Sequence, residues 1–311
     1  MGTPILPPTP ENIARAVAAL RAGELVAMPT ETVYGLAGDA SNPQAVERIY
    51  DTKQRPGFNP LIGHVASPEA AFTRGSFSDQ AKQLARTFWP GSLTLVVEAA
   101  RDIDICPRAR AGLDSIALRV PAHPVAQALL SAFGGPLVAP SANPSGRISP
   151  TEAAHVAADL TTGLAMVLDG GPCHAGLEST IIDARGPNPV LLRPGAIAAD
   201  EIEAVWPGLM RSGGNTQAPT SPGQLLRHYA PNARLRLNAK GAEPGEALLG
   251  FGPMACDLNL SEPGDLGEAA SNLFAMLRQL DATFDRIAVA AIPKKGLGEA
   301  INDRLARAAR K

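Results

Sequence analysis

Cysteine, aromatic residues and net charge are all scarce in this sequence, and each shortage argues against a class of protein. The three cysteines lie far apart and form no CxxC pair, unlike those of a disulfide framework or a zinc site. Aromatic residues make up 4% of the chain, which leaves little material for the stacking platforms of single-strand nucleic-acid binders. A formal net charge of −2 also differs from the basic balance of a general nucleic-acid coat protein.

Long apolar runs are missing as well, although 45% of the residues are hydrophobic, enough for well-packed cores. No run approaches the roughly 20 residues that a membrane span needs. The first residues lack a charged segment followed by an apolar one, and Leu6 stands where a myristoylation motif has Ser or Thr. We therefore expect a soluble, cytoplasmic protein without membrane contact.

The usual nucleotide-binding and catalytic motifs are also absent. The chain has no GxxxxGKS or GxxxxGKT phosphate loop, no GxGxxG fingerprint, no HExxH and no GxSxG elbow. Any nucleotide that this protein handles must therefore be bound in a less common way.

Strand-like runs at 93–97, 166–168 and 180–183 are among the extended patterns that alternate with helical ones along the chain. The alternation has no strict β-α-β rhythm, which predicts an α/β fold with a mixed sheet. Residues 207–232 are rich in Gly, Pro, Ser and Thr and lack periodicity. The β-α-β-α order beyond them is typical of a small α/β domain. We therefore predict a first domain at 1–206, a linker or long functional loop at 207–232 and a small C-terminal domain at 233–311.

Two predictions concern helix ends. Ser149 and Glu152 have the spacing of a capping box, so we expect Ser149 to begin a helix. The closing helix carries Arg304, Arg307, Arg310 and Lys311, for which we favour a solvated basic face over an interaction surface.

Several segments place polar groups where a ligand-facing loop is expected. PTETVYGLAGDA, residues 29–40, follows a strand-like run, although capping threonines in a tight turn would give the same pattern. Lys53 and Arg55 end a predicted helix, where they either bind a polyphosphate or offset the helix dipole. His64 follows beside an apolar strand, a position that is by itself more often structural than catalytic.

Three further segments place hydroxyl, amide or guanidinium groups at predicted strand ends. Ser141 and Asn143 follow one strand, where side chains and backbone N–H groups can bind phosphate oxygens. Ser179 begins another strand, and Arg193 ends a third. Taken alone, the turn around Ser141 is equally compatible with an ordinary Asx or Ser turn.

The order and spacing of these segments together resemble one protein family. PTETVYGL, KQRP, NPLIGH, PSANPSG, ESTIID and LRPG resemble, in this order, the YrdC-like domain of L-threonylcarbamoyladenylate synthases. SPGQLLRHYAP resembles the inter-domain loop of the two-domain form. GDLGEAASNLFAMLRQLD and GLGEAINDRLARAA resemble its small C-terminal domain. The resemblance covers nearly the whole chain.

The resemblance implies a twisted mixed-sheet YrdC-like domain with a deep cavity, followed by a small Rossmann-like domain. It implies a nucleotidyltransferase that converts L-threonine, bicarbonate or CO2, and ATP into threonylcarbamoyl-AMP and pyrophosphate. Mg²⁺ is expected to be held mainly through ATP, without a protein metal site. The product would pass to a separate transferase that modifies adenosine 37 of tRNAs reading ANN codons.

The resemblance also implies roles for individual residues. Around threonine it places Thr32, His64, Arg119, Ala139 and Ser179. Around ATP it places Lys53, Arg55, Asn59, Ser115, Ser141, Asn143, Ser149, Arg193 and Tyr229. Among these, Lys53 and Arg55 are the expected catalytic cations, because adenylyl transfer depends on alignment and on neutralising the triphosphate charge.

This chain departs from the family pattern at two places. Gly63 stands where a β-branched residue is usual, and Gln224, Leu225 and Leu226 stand where many relatives have a lysine and an aromatic residue.

Three other functions compete with this interpretation. They are binding of an RNA backbone in a basic concavity, carbamoyl transfer to a protein thiol as in hydrogenase maturation factors, and regulation by nucleotide binding alone. The balanced charge, the absence of CxxC pairs and the retention of every motif block argue against them in turn. A weak direct contact with RNA is kept as an open alternative.

Overall fold

The computed structural model describes residues 2–212 and 229–310, and it contains a larger and a smaller β-sheet. Most of the predicted loop at 207–232, including Gln224, Leu225 and Leu226, lies outside the described residues. The domain boundaries at 206 and 233 therefore stay predictions.

The larger sheet consists of β1 (Ile5–Leu6), β2 (Val26–Met28), β3 (Gly35–Asp39), β4 (Ile62–His64), β5 (Gly75–Ser76), β6 (Leu93–Ala99), β7 (Ser115–Arg119), β8 (Leu137–Val138), β9 (Met166–Leu168), β10 (Thr180–Asp183), β11 (Val190–Arg193) and β12 (Met210–Arg211). The smaller sheet consists of β13 (Arg234–Ala239), β14 (Ala247–Gly250), β15 (Leu258–Asn259) and β16 (Arg286–Ala290). The helices are α1 (Pro10–Arg21), α2 (Pro43–Lys53), α3 (Pro68–Phe72), α4 (Asp79–Phe88), α5 (Pro124–Phe133), α6 (Ala153–Asp159), α7 (Ala199–Val205), α8 (Leu266–Asp281) and α9 (Leu297–Ala308).

Local sequence explains where several helices begin and end. The side chains of Thr9, Asn42 and Asp265 accept backbone N–H groups at the N-termini of α1, α2 and α8. Helix α2 ends at Lys53, and the next residue, Gln54, has its backbone in the left-handed region with φ at 50°. The chain then leads directly into Arg55.

The larger sheet is mixed, with the strand order β1-β9-β2-β3-β8-β4-β7-β6-β10-β11-β12, and β5 pairs with β6. Strands β4 and β7 are parallel, which places His64 opposite Arg119. Strand β6 runs antiparallel to β7 and parallel to β10. The predicted mixed-sheet fold is therefore confirmed.

Alternation along β7 separates the two faces of this sheet. Ile116 and Leu118 point into the main core. Ser115 and Arg119 lie on the opposite face. That face carries a small apolar cluster formed by Ile62, Val96, Ala117 and Ile181.

The smaller sheet is entirely parallel, in the order β13-β16-β14-β15. Helix α8 contributes Leu273, Phe274 and Leu277 to its core, and α9 contributes Ile301 and other apolar residues. This arrangement confirms the small Rossmann-like α/β domain. Among the described residues, no helix combines the length and the apolar character needed to cross a bilayer.

Apolar side chains of the first domain, which holds the larger sheet, and of the second domain, which holds the smaller one, pack together in one cluster. Val33, Ile148 and Leu177 of the first domain pack among residues of the second. Tyr229 stacks on Phe274 of α8, with 5.6 Å between the ring centroids. The interface between the two domains therefore includes the loop between β2 and β3, which also carries Thr32.

Arginines from both helices of the second domain reach into the first. Arg278 on α8 forms an ion pair with Asp159 at 2.5 Å and donates to the carbonyls of Ile148 and Ser149. Arg304 on α9 is only 1% exposed.

The prediction of a solvated basic face on the closing helix is therefore wrong for Arg304. Its partner is a carboxylate of the first domain, Glu178, which no pattern within the helix reveals. Arg307 is half-buried and forms an ion pair with Asp303, whereas Arg310 is exposed as expected. Lys311 lies outside the described residues.

Two further local predictions are wrong. Helix α6 begins at Ala153, and Ser149 lies before it with its hydroxyl directed to Glu178 rather than to a helix end. Within residues 29–40, the second half forms β3 instead of a loop. Glycine suits this strand because a Cβ at Gly35 would lie 3.1 Å from the Cβ of Ala139.

Candidate active site

A cavity lies on the face of the larger sheet that carries the small apolar cluster, and Ile62 of that cluster lines it. The residues predicted around threonine all line it, namely Thr32, His64, Arg119, Ala139 and Ser179. Of those predicted around ATP, it is lined by Arg55, Ser141, Arg193 and Tyr229. The two predicted sets of residues therefore meet in one cavity.

Arg119 is held rigidly at the end of β7. Its Nη2 donates to Glu31 Oε1 at 2.6 Å, and its Nε donates to the Gly91 carbonyl at 3.2 Å. Glu31 also accepts from Ser92 and from the backbone N–H of Ala122. Burial opposes ionisation of Glu31, but the charge and hydrogen bond of Arg119 lower its pKa. Within the described residues these contacts use two of the five guanidinium donors, and the rest suit a bound carboxylate.

His64 is almost fully buried beside Arg119. Burial, together with the charge of Arg119, lowers the pKa of His64 to about 3, so the imidazole is neutral at physiological pH. Its Nδ1 lies 3.1 Å from the Ile62 carbonyl. Because a carbonyl only accepts, Nδ1 carries the proton and Nε2 is the acceptor. His64 therefore offers an acceptor for a hydroxyl or ammonium group and is a poor base.

Two hydroxyl groups in the lining have defined roles as well. The Thr30 hydroxyl donates its proton to the Val33 carbonyl at 2.6 Å. In the 2.8 Å contact between the hydroxyl oxygens of Thr30 and Thr32, Thr32 is therefore the donor and Thr30 the acceptor. Thr32 is thereby left as an acceptor on its other side. Ser179 Oγ lies 2.7 Å from Thr94 Oγ1 and accepts from Arg193 Nη2 at 3.2 Å.

Arg55 and Arg193 supply further positive charge to the cavity. Arg55 donates to the carbonyls of Asn59 and Pro60, and Arg193 donates twice to the carbonyl of Ser179. Burial lowers the pKa of Arg55 to about 10 and also lowers that of Arg193. Both groups nevertheless stay charged at neutral pH. Two guanidinium groups largely removed from water attract an anion far more strongly than exposed ones do.

Lys53 lies behind the lining rather than in it. Its Nζ donates to the carbonyls of Ser141 and Asn143, both at 2.5 Å. Burial, together with the nearby charge of Arg55, lowers the pKa of Lys53 well below its usual value. The Asn143 side-chain nitrogen donates to two backbone carbonyls of the same turn. Lys53 and Asn143 thus support the backbone from which Ser141 enters the cavity.

The structure places Asn59, Ser115 and Ser149 outside the lining too. Asn59 holds Arg55 through its carbonyl, and Ser149 donates to Glu178 at 2.5 Å. Ser115 shares the cavity face of β7 but lies four residues from Arg119, about 13 Å along the strand. Their predicted contacts with ATP stay predictions.

Glu178 is the carboxylate of the lining. Its Oε1 accepts from Ser149, and its Oε2 accepts from Arg304 Nε at 2.8 Å. Burial opposes its ionisation, but the charges of Arg304 and Arg193 and the Ser149 hydrogen bond lower the pKa of Glu178 to about 2. The cavity wall therefore contains an ionised but fully paired carboxylate.

The depressed pKa of Glu178 predicts a loss of stability in acid. Its folded pKa of about 2 lies below the ordinary 4.5, so its contribution is complete above about pH 5 and disappears as the pH falls to about 2. The shift corresponds to about 3 kcal/mol of unfolding free energy. Glu178→Gln should flatten this decline, measured by urea denaturation at several pH values. The exposed control Glu262→Gln should retain it, and equal slopes in all three proteins would contradict the assignment.

The sequence interpretation missed Glu31, Glu178 and Arg304. Glu31 and Glu178 lie inside motifs that were considered for anion binding, and an acid in such a motif is itself a signal for a nearby buried cation. Arg304 has no comparable signal, because its partner is 126 residues away in the chain.

Gly63 is explained by its surroundings. A Cβ there would point away from the cavity face and lie 3.2 Å from side-chain carbons of both Ile105 and Leu118. Those two side chains fill the space that a β-branched residue would need.

Comparisons with known proteins identify the family of this chain. A family model described as "Telomere recombination" matches residues 18–195, and one described as "Threonylcarbamoyl-AMP synthase, C-terminal domain" matches residues 197–310. Threonylcarbamoyl-AMP synthases of Bacillus subtilis and Pyrococcus abyssi are each 40% identical to this chain over 96% of its length and over 93% and 94% of theirs. The crystal structure of P. abyssi Sua5 complexed with L-threonine superposes with a TM-score of 0.90 at 36% identity, covering 98% of this chain and 96% of that one. The chain therefore belongs to the threonylcarbamoyl-AMP synthase family.

Proposed function

We propose that this chain is a threonylcarbamoyl-AMP synthase that transfers AMP from ATP to N-carboxy-threonine and releases pyrophosphate, which makes it a nucleotidyltransferase. One observation carries the proposal. A single cavity combines an arginine suited to a carboxylate, Arg119, with two arginines suited to a polyphosphate, Arg55 and Arg193. A site that must join an amino acid to a nucleotide needs both kinds of group within reach of each other.

Threonine is assigned to the part of the cavity around Arg119 and His64. The free donors of Arg119 bind its carboxylate in a bidentate manner. Its hydroxyl donates to an acceptor in the set His64 Nε2, Thr32 and Ser179. Such an acceptor is required, because an apolar pocket alone separates threonine poorly from valine. Ala139 lies opposite Ile62 on the floor and leaves room for the substrate.

ATP is assigned to the part around Arg55, Arg193, Ser141 and Tyr229. The two arginines neutralise the triphosphate, and Ser141 donates a neutral hydrogen bond to it. Lys53 acts by holding the turn that presents Ser141.

Magnesium enters with ATP as part of the substrate. Among the described residues, no three His, Cys, Asp or Glu side chains form a metal cluster. The Asn143 Oδ1 atom is buried without a partner in the described part of the chain, beside the turn of Ser141. Neutral oxygens of this kind suit a Mg²⁺ ion that takes most of its ligands from phosphate and water.

The reaction needs alignment more than a dedicated base. The threonine amine attacks CO2 and loses a proton to solvent water, which gives a carbamate. A carbamate oxygen then attacks the α-phosphorus, and the bond from that phosphorus to the departing pyrophosphate breaks. His64, with a pKa of about 3, holds the substrate and does not take the proton.

In the cell, we place this activity in the cytoplasm, upstream of a separate transferase that attaches the threonylcarbamoyl group to adenosine 37 of tRNA. The product is a mixed anhydride and therefore a reactive acyl donor, so a consuming enzyme must accept it promptly. Any direct contact of this chain with RNA is expected to be weak, in keeping with its net charge.

The proposal is tested by pyrophosphate release from purified protein with ATP, Mg²⁺, bicarbonate and L-threonine. Release should require both threonine and bicarbonate and should fall sharply when valine or serine replaces threonine. ATP binding without release would instead favour a regulatory nucleotide-binding protein. Salt-sensitive RNA binding without ATP turnover would favour an RNA-binding protein.

A further inference from the structure

The second domain contributes a buried cation directly behind the cavity. Arg304 on α9 donates from Nε to Glu178 at 2.8 Å and from Nη2 to the Pro194 carbonyl at 2.8 Å. Its guanidinium carbon lies 5.1 Å from the centroid of the Tyr229 ring. Glu178 and Tyr229 line the cavity, and Pro194 directly follows the lining residue Arg193. One side chain therefore contacts three separate segments that form or adjoin the cavity wall.

The charge of Glu178 makes this contact matter for an anionic ligand. A carboxylate in the wall of a cavity that receives a triphosphate repels it, and a water-poor surrounding strengthens that repulsion. Ser149 supplies a neutral hydrogen bond only. Arg193 is close but directs its hydrogen bonds to Ser179. The direct charge partner of Glu178 is therefore Arg304.

We propose that Arg304 is a positioning residue of the ATP site: by pairing with Glu178 it keeps the cavity wall positive enough to bind a triphosphate. The second domain thus completes the site electrostatically without touching the substrate. This inference rests on the proposed function for its ligand, ATP, but it is tested by binding and not by turnover.

The charged and titratable groups that face Glu178 decide what happens without Arg304. Besides Arg304 and Asp303 behind it on α9, these groups are Arg193 on β11, Tyr229, and Arg55 and Arg119 across the cavity. Removal of Arg304 takes away the largest contribution that lowers the pKa of Glu178, while burial continues to raise it. The carboxylate then takes up a proton at a higher pH than in the native protein, and the repulsion disappears with it.

The test is the dissociation constant of Mg–ATP, measured by isothermal titration calorimetry on the full chain between about pH 5.5 and pH 8. Arg304→Met should bind Mg–ATP about 10- to 100-fold more weakly than the native protein at pH 8. The deficit should shrink as the pH is lowered, relative to the native protein measured in parallel. The double variant Arg304→Met/Glu178→Gln should bind within about threefold of the native protein at every pH, because neither charge is left unpaired.

A purely structural role for Arg304 gives different results. The double variant would then bind as weakly as Arg304→Met, and the deficit would not depend on pH; either outcome overturns the proposal. Arg278→Met is the matched control. It removes another inter-domain ion pair, the one with Asp159, but Asp159 does not line the cavity, so no unpaired carboxylate is left in the cavity wall. It should lower the melting temperature but should not produce a pH-dependent deficit in ATP binding.

Two additional variants keep the test decisive if Arg304→Met does not fold. Arg304→Lys retains the charge and should bind Mg–ATP within about tenfold of the native protein. Glu178→Gln alone removes the repelling charge and should bind it equally or more tightly. Weaker binding by Glu178→Gln would overturn the proposal. Absence of pyrophosphate release from native protein that still binds ATP would contradict the proposed function and leave these binding results fully interpretable.

Discussion

Arg55→Met should lower kcat/KM for ATP by about 100-fold or more while the protein remains folded. Arg55 is nearly buried in the lining, and carbonyls of Asn59 and Pro60 fix its orientation. The remaining guanidinium donors can therefore meet the triphosphate without reorganisation. Loss of one such preorganised donor to developing charge typically costs about 10²–10³ in rate. Steady-state pyrophosphate release with ATP varied is the measurement.

Two comparisons make the result specific to Arg55. The first comparison is with Arg108, an arginine outside the cavity lining. Its guanidinium carbon lies 4.1 Å from the centroid of the Tyr50 ring, and it forms an ion pair with Glu47. Arg108→Met should change kcat/KM by less than about threefold. Lys53→Met should lower both activity and melting temperature, because it leaves two buried carbonyls without their donor. Unchanged kinetics for Arg55→Met would remove Arg55 from the ATP site.

Arg119→Met should raise KM for L-threonine by about 30- to 4000-fold and change KM for ATP much less. Truncation of one partner in a buried charge-assisted contact typically costs about 2–5 kcal/mol. Here the variant would also leave the Glu31 carboxylate without its main partner, close to the place assigned to the substrate carboxylate. Both effects weaken binding of threonine in particular.

L-Threonine amide provides the matched substrate, since it lacks the carboxylate but keeps the hydroxyl and the amine. The native protein should prefer L-threonine over the amide by about the same factor that the variant loses. Arg119→Met should lose that preference. A preference that survives the substitution would show that another group holds the carboxylate, and the threonine assignment around β7 would have to be abandoned.

Strand-forming runs were readable from the sequence where apolar residues are dense. The runs at 166–168 and 180–183 coincide with β9 and β10, and the run at 93–97 marks β6 within two residues. Strand β3 was missed because its GLAGD sequence has the composition of a loop. Its conformation is imposed by tertiary pairing with β2 and β8, where small residues allow close approach.

The candidate site was predictable as a set of residues but not as a set of roles. The family resemblance implied that Arg55, Arg119 and Arg193 lie around the substrates, and all three line the cavity. No local pattern indicates that the Lys53 ammonium group donates its hydrogen bonds to backbone carbonyls behind the cavity. Nor does the sequence of α9 reveal that Arg304 alone among its arginines turns inward, since helical spacing does not specify a partner in another domain.

The pairing of Arg304 with Glu178 also sets an order of events during synthesis. The two residues are 126 positions apart, so a ribosome adding about 5–20 residues per second makes Arg304 about 6–25 s after Glu178. The last strand of the larger sheet, β12, ends at Arg211, so all of its strands have been made well before Arg304. The positioning role proposed for Arg304 then implies that a first domain folded ahead of α9 has an unpaired acid in its cavity. Docking of the closing helix would be the step that makes the site ready for its nucleotide.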